Sequence, residues 1–413
     1  MCGTFRSERL ATMTKIPEAM LTEVVLGNYR SIRSCQVPLE AFTCLVGPNG
    51  SGKSNFLDAL RLVGDSLRWN PDMAVGGRGG FLEVRSRGAE PTAETSIRLD
   101  GRLADRRFRY VLTLAPTARD GFAVHAEWCG VWFDSRATVG DRPADDRWLV
   151  RDGSLQYQTS GSAPVPSRGR RLYLASMAGV VEFSPVYEFL AGLTVFSVNP
   201  DAIRAPQPNA SSGQLERDGA NLALVLRDLE ESEQGRRTIE RMVDYLGLIV
   251  PGLVGVRRLR AGPWETLEFL IQQAIAERDG APWVFPALSV SDGTLRAAGV
   301  LAALFANPGG TVVGIEEPEN ALNPAASGVL LDALLEASEH RQVLVTSHSP
   351  DLLDTRSLRP EALLAVRRRG GDTVVDRPDD AARLALTEEL YTAGELLRVD
   401  QLQPRGAEPG EDQ

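Results

Sequence analysis

The chain has 413 residues, of which 43% are hydrophobic and 24% are charged, so it has ample material for a core and could hold more than one domain. Its formal net charge of −10 excludes a global basic field that would draw the whole molecule onto nucleic acid. Any contact with DNA must therefore come from a local patch.

Both ends are predicted to be disordered tails, with an upstream start codon and a true beginning at Met20 as the alternative for residues 1–19. Residues 1–19 lack the apolar core of a signal peptide, and residues 403–413 are acidic and contain Pro and Gly. No run of about 18 apolar residues lies between them, so no membrane partner is expected. The four cysteines show no C-x-x-C spacing, which favours a reducing, cytoplasmic setting and argues against a metal–thiolate site.

The chain between the tails changes character three times. Residues 20–80 and 284–402 are predicted to be the two halves of a nucleotide-binding core, in which apolar strands alternate with helices. Short alternating runs separated by turn clusters predict an antiparallel β subdomain at 81–183. Apolar residues at helical spacing predict a helical subdomain at 184–283.

The strongest motif is G-x-x-x-x-G-K-S at 47–54. It follows an apolar run ending at Val46 and precedes a helix predicted over 54–67, which is the strand–turn–helix context of a phosphate-binding loop. Its glycines let backbone N–H groups converge on one centre, where the helix adds its positive end. Lys53 is predicted to reach the β- and γ-phosphates, and Ser54 to hold Mg²⁺. The predicted nucleotide-binding residues are Gly47, Pro48, Asn49, Gly50, Ser51, Gly52, Lys53, Ser54 and Asn55.

An acid pair forms the second predicted part of the site. Residues 311–315 are an unbroken apolar run, typical of a buried parallel strand, and Glu316 and Glu317 follow it. Carboxylates at the carboxyl end of such a strand lie in the crevice where open α/β sheets bind ligands. Glu316 is predicted to position Mg²⁺ through its water shell, and Glu317 to polarise the attacking water. The alternative is a solvated acidic turn.

Two other segments are interpreted as functional because these motifs are present. The apolar run 342–348 ends in His348, which is predicted to donate a hydrogen bond to the γ-phosphate; alone, it would be better explained as a structural histidine. Ser291 or Asp292 is predicted to cap the next helix and to present a second anion site. In isolation this segment would be an ordinary helix N-cap.

Together these segments resemble the head of ABC-type ATPases, in the branch of SMC, RecF-like and OLD-like proteins, and more narrowly the bacterial AAA family ATPases of that branch. The resemblance extends from about residue 21 to residue 403. Its carriers are N-Y-R-S-I at 28–32, the loop at 47–54, S-D-G-T at 291–294, G-I-E-E-P-E-N at 314–320 and T-S-H-S-P at 346–350. It implies an α/β fold with a mainly parallel core sheet, an antiparallel β insertion and a helical subdomain.

The resemblance also implies roles for residues. Those it assigns are Walker A at 47–54, a signature motif at 291–294, Walker B at 312–316, catalytic Glu317 with Lys53 and His348, and nucleotide contacts from Arg30, Ser291, Asp292 and Gly293. It implies an ATP-dependent homodimer that sandwiches two ATP molecules, in which each signature motif touches the γ-phosphate bound to the other subunit. ATP and Mg²⁺ are the implied cofactors.

The sequence departs from the branch at two places. The segment N-A-L-N-P at 320–324 lacks the His that many relatives carry before the proline. The glutamine that relatives place in the Q-loop has no clear counterpart, and Gln156 and Gln158 are the candidates. No sustained heptad pattern or Toprim-like nuclease segment is found, which separates the chain from SMC-type and full-length OLD architectures.

The leading hypothesis is an Mg²⁺-dependent ATPase that acts as a switch on DNA or on a separately encoded effector, such as a nuclease or toxin, in DNA repair or antiphage defence. The alternative is a nucleotide-dependent regulatory module with negligible turnover inside a defence complex. A small-molecule kinase is a weaker hypothesis, because it has no use for the signature segment. The candidate DNA contacts are arginine clusters, with solvated faces as the alternative, at 106–109, 168–171, 257–260 and 367–369.

Overall fold

A computed structural model describes residues 17–118, 121–133, 145–159, 171–209, 213–272, 281–306, 311–356 and 358–405. Its strands are β1 (Met20–Tyr29), β2 (Ile32–Pro38), β3 (Phe42–Val46), β4 (Thr95–Leu103), β5 (Arg106–Pro116), β6 (Phe122–Phe133), β7 (Asp146–Arg151), β8 (Ser154–Gln158), β9 (Thr194–Phe196), β10 (Gln207–Pro208), β11 (Leu253–Ala261), β12 (Trp264–Ile271), β13 (Trp283–Pro286), β14 (Val312–Glu316), β15 (Gln342–Ser347), β16 (Leu363–Arg369) and β17 (Asp372–Asp376). Its helices are α1 (Lys53–Arg68), α2 (Pro71–Gly76), α3 (Phe81–Val84), α4 (Tyr173–Ser176), α5 (Ser184–Ala191), α6 (Pro200–Arg204), α7 (Leu222–Glu230), α8 (Glu233–Ile249), α9 (Asp292–Phe305), α10 (Pro324–Ser338), α11 (Pro350–Leu353), α12 (Asp380–Thr387) and α13 (Ala393–Arg398).

A six-stranded core sheet carries the predicted phosphate loop at 47–54. Its order is β17-β16-β3-β15-β14-β9, and all neighbouring pairs are parallel except β16 with β17. Successive residues of β3 enter two different cores, because Cys44 and Val46 pack on one face of the sheet and Leu45 on the other. The mainly parallel core is therefore confirmed, and the carboxyl ends of β3, β15, β14 and β9 meet along one edge.

A seven-stranded antiparallel sheet has the order β2-β1-β4-β5-β6-β7-β8. Alternate residues of β5, among them Phe108, Tyr110 and Leu112, are buried on one face, as the alternating pattern predicts. The antiparallel insertion is confirmed. It also recruits β1 and β2, because β1 pairs with β4, so two strands that precede the phosphate loop belong to this sheet.

The range predicted to be helical, 184–283, contains α5 to α8 but also strands. β9 extends the core sheet beside β14, and β10 to β13 form a small antiparallel sheet. β9 has only three residues, too few to show a period, and the arginines of β11 hide its alternation. The range predicted as a helical subdomain therefore contains strands that the sequence analysis did not predict.

The predicted tails lie mostly outside the described residues, which begin at residue 17 and end at residue 405. The part of the second tail that is described is ordered, because Arg405 N–H donates to the Arg377 carbonyl at 2.8 Å and Pro404 bridges to Pro378. None of the helices in the described ranges is both long enough and apolar enough to cross a membrane.

A buried carboxylate fixes α4 to the antiparallel sheet. Glu127 accepts hydrogen bonds from Tyr110 Oη at 3.0 Å and from the N–H of Leu174 at 3.0 Å, and it also accepts one from the N–H of Tyr173. Burial raises the pKa of Glu127 from 4.5 to about 7, although these three donors oppose the shift. The carboxylate therefore anchors a helix N-terminus at the cost of keeping a charge inside the core.

This burial predicts a pH-dependent stability. The folded protein holds the Glu127 proton more tightly than the unfolded chain does. The free energy of unfolding should therefore fall as the pH rises from 4.5 to about 7, and it should level off above that. The loss is on the order of 3 kcal/mol. Urea unfolding of wild type and Glu127→Gln across this range should show that the variant lacks this slope. Equal slopes in the two proteins would contradict the assignment.

Candidate functional site

The phosphate loop lies between β3 and α1. Gly52 caps α1 with a φ of 103°, in the left-handed region that favours glycine. A Cβ at Gly47 would lie 2.1 Å from the Val366 carbonyl oxygen, so this position also excludes a side chain. Residues 48–50 form an exposed rim, and the Ser51 hydroxyl is buried with no hydrogen-bond partner among the described residues. An orphaned hydroxyl in an open glycine cradle fits a phosphate ligand.

Lys53 lies inside this cradle with 4% of its side chain exposed. Its ammonium group donates to the carbonyl oxygens of Gly47 at 2.9 Å and of Pro48 at 3.0 Å. Burial lowers the pKa of Lys53, and the nearby charges of Glu317 and Glu319 oppose that shift. An ammonium held by two carbonyl oxygens can exchange them for phosphate oxygens.

A cluster of hydroxyl and amide side chains lies behind the loop and supports it, and the sequence did not predict that Thr373 belongs to it. Thr373 Oγ1, in β17, donates to the Ser51 carbonyl at 2.8 Å and lies 2.7 Å from Ser31 Oγ. Ser31 Oγ in turn accepts from Asn55 Nδ2 at 2.7 Å. Thr373 is 2% exposed, and a Cβ at Gly52 would lie 2.2 Å from its Oγ1. The cluster therefore connects β17 and the turn after β1 to the phosphate loop.

Replacing Thr373 by valine should weaken ATP binding, because it removes this hydroxyl at nearly constant volume. Losing its hydrogen bonds should cost about 1–2 kcal/mol, or roughly a 5–30-fold rise in the dissociation constant for ATP. Thr373→Ser should bind like the wild type, because it keeps the hydroxyl. Titration with a fluorescent ATP analogue measures both variants.

Ser31→Ala supplies the control for this prediction. If the hydroxyls act through one network, the double variant Ser31→Ala/Thr373→Val should lose less affinity than the sum of the two single variants. Thermal unfolding without nucleotide separates a general loss of stability from a loss of loop geometry. Wild-type affinity in Thr373→Val would remove its positioning role.

The structure brings Glu317 together with Lys53 and His348. Glu317 has a φ of 45°, which is uncommon for a residue other than glycine, and its N–H donates to the Thr346 carbonyl at 3.0 Å. Asn320 Nδ2 donates to Glu317 Oε2 at 2.8 Å. Glu317 Oε1 lies 3.2 Å from His348 Nδ1 and 4.0 Å from Lys53 Nζ. The other two predicted catalytic residues, Lys53 and His348, therefore both lie near the same carboxylate oxygen of Glu317.

A second carboxylate, also missed by the sequence analysis, fixes this arrangement. Glu319 is 4% exposed and accepts a hydrogen bond from Ser347 Oγ at 2.6 Å. Burial raises the pKa of Glu319, and the bond from Ser347 opposes the shift. The contact ties the turn after β14 to the end of β15, so it fixes the spacing of Glu317 and His348, which lie beside it in sequence.

Glu316 and Ser54 are the residues that would hold Mg²⁺. Ser54 is exposed in the first turn of α1, and carboxylate and hydroxyl oxygens suit this ion. Glu316 Oε1 accepts a hydrogen bond from Arg217 Nη2 at 3.0 Å, so the carboxylate already attracts a cation. Beside it lies a cleft of about 660 Å³, lined by Ser197, Val198, Asn199, Glu216, Arg217, Asp218 and Arg296.

The predicted signature segment begins α9. Ser291 is its N-cap and accepts from the Thr294 N–H at 3.2 Å, which confirms the predicted cap. Ser291 and Asp292 are exposed, and the Asp292 carboxylate pairs with Arg204. The positive end of α9 is therefore presented to solvent.

Two observations place this helix end beside the acidic turn. A Cβ at Gly293 would lie 2.4 Å from the Ala321 carbonyl oxygen, so only glycine permits the approach. Arg296 lies one turn further along α9, where burial lowers its pKa and the charges of Glu317 and Glu319 oppose the shift. The signature segment and the acid pair therefore form one surface.

Arg30 lies next to the phosphate loop. Its φ is 48°, its N–H donates to the Val84 carbonyl at 2.8 Å, and its guanidinium lies 2.9 Å from Asp58 of α1. Its neighbour Ser31 belongs to the hydroxyl cluster described above. The Arg30 side chain, which is predicted to contact the nucleotide, therefore lies beside α1 and is paired with the carboxylate of Asp58.

The two glutamines proposed for the Q-loop lie elsewhere. Gln156 and Gln158 belong to β8, the edge strand opposite β2 in the seven-stranded sheet. Gln158 accepts from Tyr173 Oη at 3.1 Å, and Gln156 donates to the Ser154 carbonyl at 3.2 Å. They face an antiparallel sheet and not the strand ends that carry the motifs, so this prediction is wrong.

A parallel sheet whose strand ends bring together a phosphate loop, an acid pair and a histidine defines an ATP-binding ATPase of the ABC type, in the branch of SMC and RecF-like proteins. A family model described as "AAA domain, putative AbiEii toxin, Type IV TA system" matches residues 42–154 and 181–354, well over half of the chain. The chain belongs to this family.

Curated relatives match over short segments. The human Structural maintenance of chromosomes protein 1B is 51% identical over 47 residues, which is 11% of this chain and 4% of that protein. The DNA replication and repair protein RecF of Vibrio campbellii is 42% identical over 45 residues, which is 11% of this chain and 13% of RecF. The chain thus spans only a small part of these relatives.

Solved structures of Smc heads are similar to this chain over most of its length. One of them is the Smc head domain with an extended coiled coil bound to the C-terminal domain of ScpA, derived from Pyrococcus furiosus. The match has a TM-score of 0.51 at 13% identity and covers 90% of this chain and 99% of that one. At this identity the likeness shows the fold of an SMC ATPase head.

Proposed function

We propose that this protein is an Mg²⁺-dependent ATPase that hydrolyses ATP at a composite site between two heads. The observation that carries the proposal is that Lys53 Nζ and His348 Nδ1 both approach one carboxylate oxygen of Glu317, at 4.0 Å and 3.2 Å. The three come from a loop and two strand ends of one parallel sheet, the place where such sheets bind and transform nucleotides.

Each of these residues has a separate task in phosphoryl transfer to water. Lys53 leaves its carbonyl partners for the β- and γ-phosphates, and the loop N–H groups bind the remaining oxygens. Glu317, oriented by Asn320 and by Thr346, accepts a proton from the attacking water. His348 donates a hydrogen bond to the γ-phosphate. Because this reaction needs little covalent chemistry from the protein, positioning and charge neutralisation supply the rate.

The ion is expected at Ser54 and Glu316. Bound there, Mg²⁺ would neutralise charge that develops on the phosphate oxygens. On this proposal Arg217 must move away from Glu316, because a carboxylate engaged by a guanidinium has lost part of its capacity to hold the water shell of an ion.

The exposed end of α9 supports a second subunit. The N-terminus of α9 exposes Ser291 and Asp292, and a helix N-terminus with a capping hydroxyl is suited to an anion. We propose that they close over the γ-phosphate held by the 47–54 loop of another copy. Since Gly293 joins this helix end to the acidic turn, closure at one site would be sensed at the acid pair of the other.

ATP-driven association of two heads would act as a switch on DNA or on an effector protein in the cytoplasm. The names of the relatives support both targets, because RecF is a DNA replication and repair protein and the Smc head is bound to ScpA. A separately encoded nuclease or toxin fits the family description.

Phosphate release and molar mass, measured together, test the proposal. We expect phosphate release that depends on Mg²⁺. We also expect light scattering to show a shift from monomer to dimer on adding ATP, and both measurements are made with and without DNA. The alternative is a nucleotide-dependent regulatory module; it is favoured if ATP binds and the dimer forms while turnover stays at the level of Lys53→Ala. A protein that remains monomeric under every nucleotide condition would contradict both.

A further inference from the structure

We infer that the outer face of the seven-stranded sheet binds single-stranded nucleic acid. This inference rests on the proposed function only for the biological role of the contact, because the surface itself is independent of the ATP site. Its evidence is the register of the strands, the charge of the exposed face and the placement of aromatic side chains.

Register separates two faces of this sheet. Tyr110, Cys129 and Trp148 are cross-strand neighbours in β5, β6 and β7, and all three are fully buried. In each strand, the residues directly before and after these three must point outward, because successive side chains of a strand alternate. The outward positions carry six arginines: Arg98 and Arg102 of β4, Arg107 and Arg109 of β5, and Arg147 and Arg151 of β7.

This face is basic in an acidic protein. At the outward positions of its strands, within the described residues, the carboxylates are Glu23 and Asp100; Glu127 of β6 and Asp146 of β7 occupy inward positions, opposite Val150 and Val131. Glu23 pairs with Arg98, and Asp100 holds Arg109 through two bonds of 2.6 and 2.8 Å. Six arginines against two carboxylates leave an excess of four positive charges, whereas the whole chain carries −10. Such a local reversal of sign is the electrostatic footprint expected for a polyanion.

Aromatic side chains lie among these arginines. The Trp128 and Trp132 ring centroids are 6.3 Å apart, and Trp128 Nε1 donates to Tyr157 Oη at 2.8 Å. The Arg147 guanidinium lies 5.8 Å from the centre of the Tyr157 ring. Guanidinium groups bind phosphates and aromatic rings stack on unpaired bases, so the combination suits a single strand. A duplex keeps its bases stacked inside and would leave the rings unused.

Other arginine clusters of the sequence lack this character. In β11, Arg257 lies 2.8 Å from Glu268 and Arg258 lies 3.3 Å from Glu265, so cross-strand acids neutralise two of the three arginines at 257–260. At 367–369, Arg367 pairs with Asp400. The cluster at 168–171 lies almost entirely outside the described residues. Of the three clusters that the structure describes in full, only 106–109 contributes to the basic outer face, through Arg107 and Arg109.

Fluorescence anisotropy of a labelled oligothymidylate tests the surface on the full chain. We expect binding that weakens steeply with salt. Arg147→Glu/Arg151→Glu should weaken it at least about tenfold and reduce the slope of log K against log salt by roughly 1.4, since each phosphate contact contributes about 0.7 for a single strand. Trp128→Ala should weaken binding by roughly 5–100-fold, the scale of one lost base stack.

Matched controls carry the same chemical change elsewhere. Arg236→Glu/Arg237→Glu, on exposed positions of α8, alters the net charge equally, and Trp264→Ala removes an exposed tryptophan from β12. Both should bind like the wild type. The milder Arg147→Gln/Arg151→Gln tests the face if the charge reversal does not fold. ATP hydrolysis without oligonucleotide should be unchanged in all of these variants. A wild type without turnover would contradict the proposed function and leave the inference about this face standing.

Two outcomes would overturn binding by this face, and a third would overturn its preference for a single strand. One is equal loss of affinity in the α8 control, which would indicate a net-charge effect. The other is wild-type affinity in both the arginine and the Trp128 variants. If a duplex of the same length bound as tightly as the single strand and Trp128→Ala had no effect, the single-stranded assignment would be wrong.

Discussion

Replacing Glu317 by glutamine is expected to slow ATP hydrolysis by about 10²–10⁴-fold, the usual scale for losing a general base. ATP binding should survive, because the phosphate loop and Lys53 are untouched and the amide fills the same volume. The amide can still accept a hydrogen bond from Asn320, whose Nδ2 lies 2.8 Å from Glu317 Oε2. Phosphate release under saturating ATP and a separate binding titration measure the two effects.

The same variant should collect as an ATP-bound dimer, because closure no longer leads to hydrolysis. Light scattering with ATP should give twice the mass found without it. Glu339→Gln, at the exposed end of α10, makes the same chemical change away from the site and should behave like the wild type. Hydrolysis by Glu317→Gln at the wild-type rate would show that another group takes the proton.

The parts of the site that the sequence predicts are those encoded by a local pattern at a strand end. Residues 47–54, Glu317 and His348 each follow an apolar run, and parallel strands bring such ends to one edge. The structure places Glu317 Oε1 within 3.2 Å of His348 and 4.0 Å of Lys53, as that rule requires. The helix predicted at 54–67 is observed at Lys53–Arg68 for the same reason.

The parts that were missed depend on contacts between distant segments. Thr373 lies 322 positions from Ser51 and belongs to no motif, yet its hydroxyl reaches the phosphate loop. Arg217 approaches Glu316 from 99 positions away. A single polar residue in a hairpin or loop carries no periodic or spacing signal, so its partner is known only once the sheets are assembled.

The basic surface of the protein also depends on contacts between strands and not on runs of arginine in the sequence. The run at 257–260 is conspicuous in sequence because its arginines are adjacent, but adjacent residues of a strand point to opposite faces, and cross-strand glutamates neutralise two of them. The outer face of the antiparallel sheet collects arginines two or four positions apart in three strands. Alternation disperses them in the sequence, whereas register gathers them in space.

Replacing Lys53 by alanine is expected to lower ATP affinity by about 10²-fold or more and to remove turnover, because two charge-assisted hydrogen bonds to phosphate are lost. Lys53→Arg is the matched control for charge. It should recover little, since burial at 4% exposure leaves no room for a guanidinium and Lys53 fits between two carbonyl oxygens at 2.9 and 3.0 Å. Binding of ATP at wild-type strength by Lys53→Ala would contradict the phosphate-loop assignment.

Lys53→Ala also tests whether each site is shared between two copies. Ser291→Arg should be inactive because a bulky cation replaces the small hydroxyl at the exposed end of α9, while its own phosphate loop stays intact. In a mixture of the two variants, each mixed dimer contains one site with an intact loop from one copy and an intact Ser291 from the other. Turnover should then return to about a quarter of the wild-type rate, since half the dimers are mixed and each has one competent site. If each chain completed its own site, the mixture would stay inactive, because neither copy holds both parts.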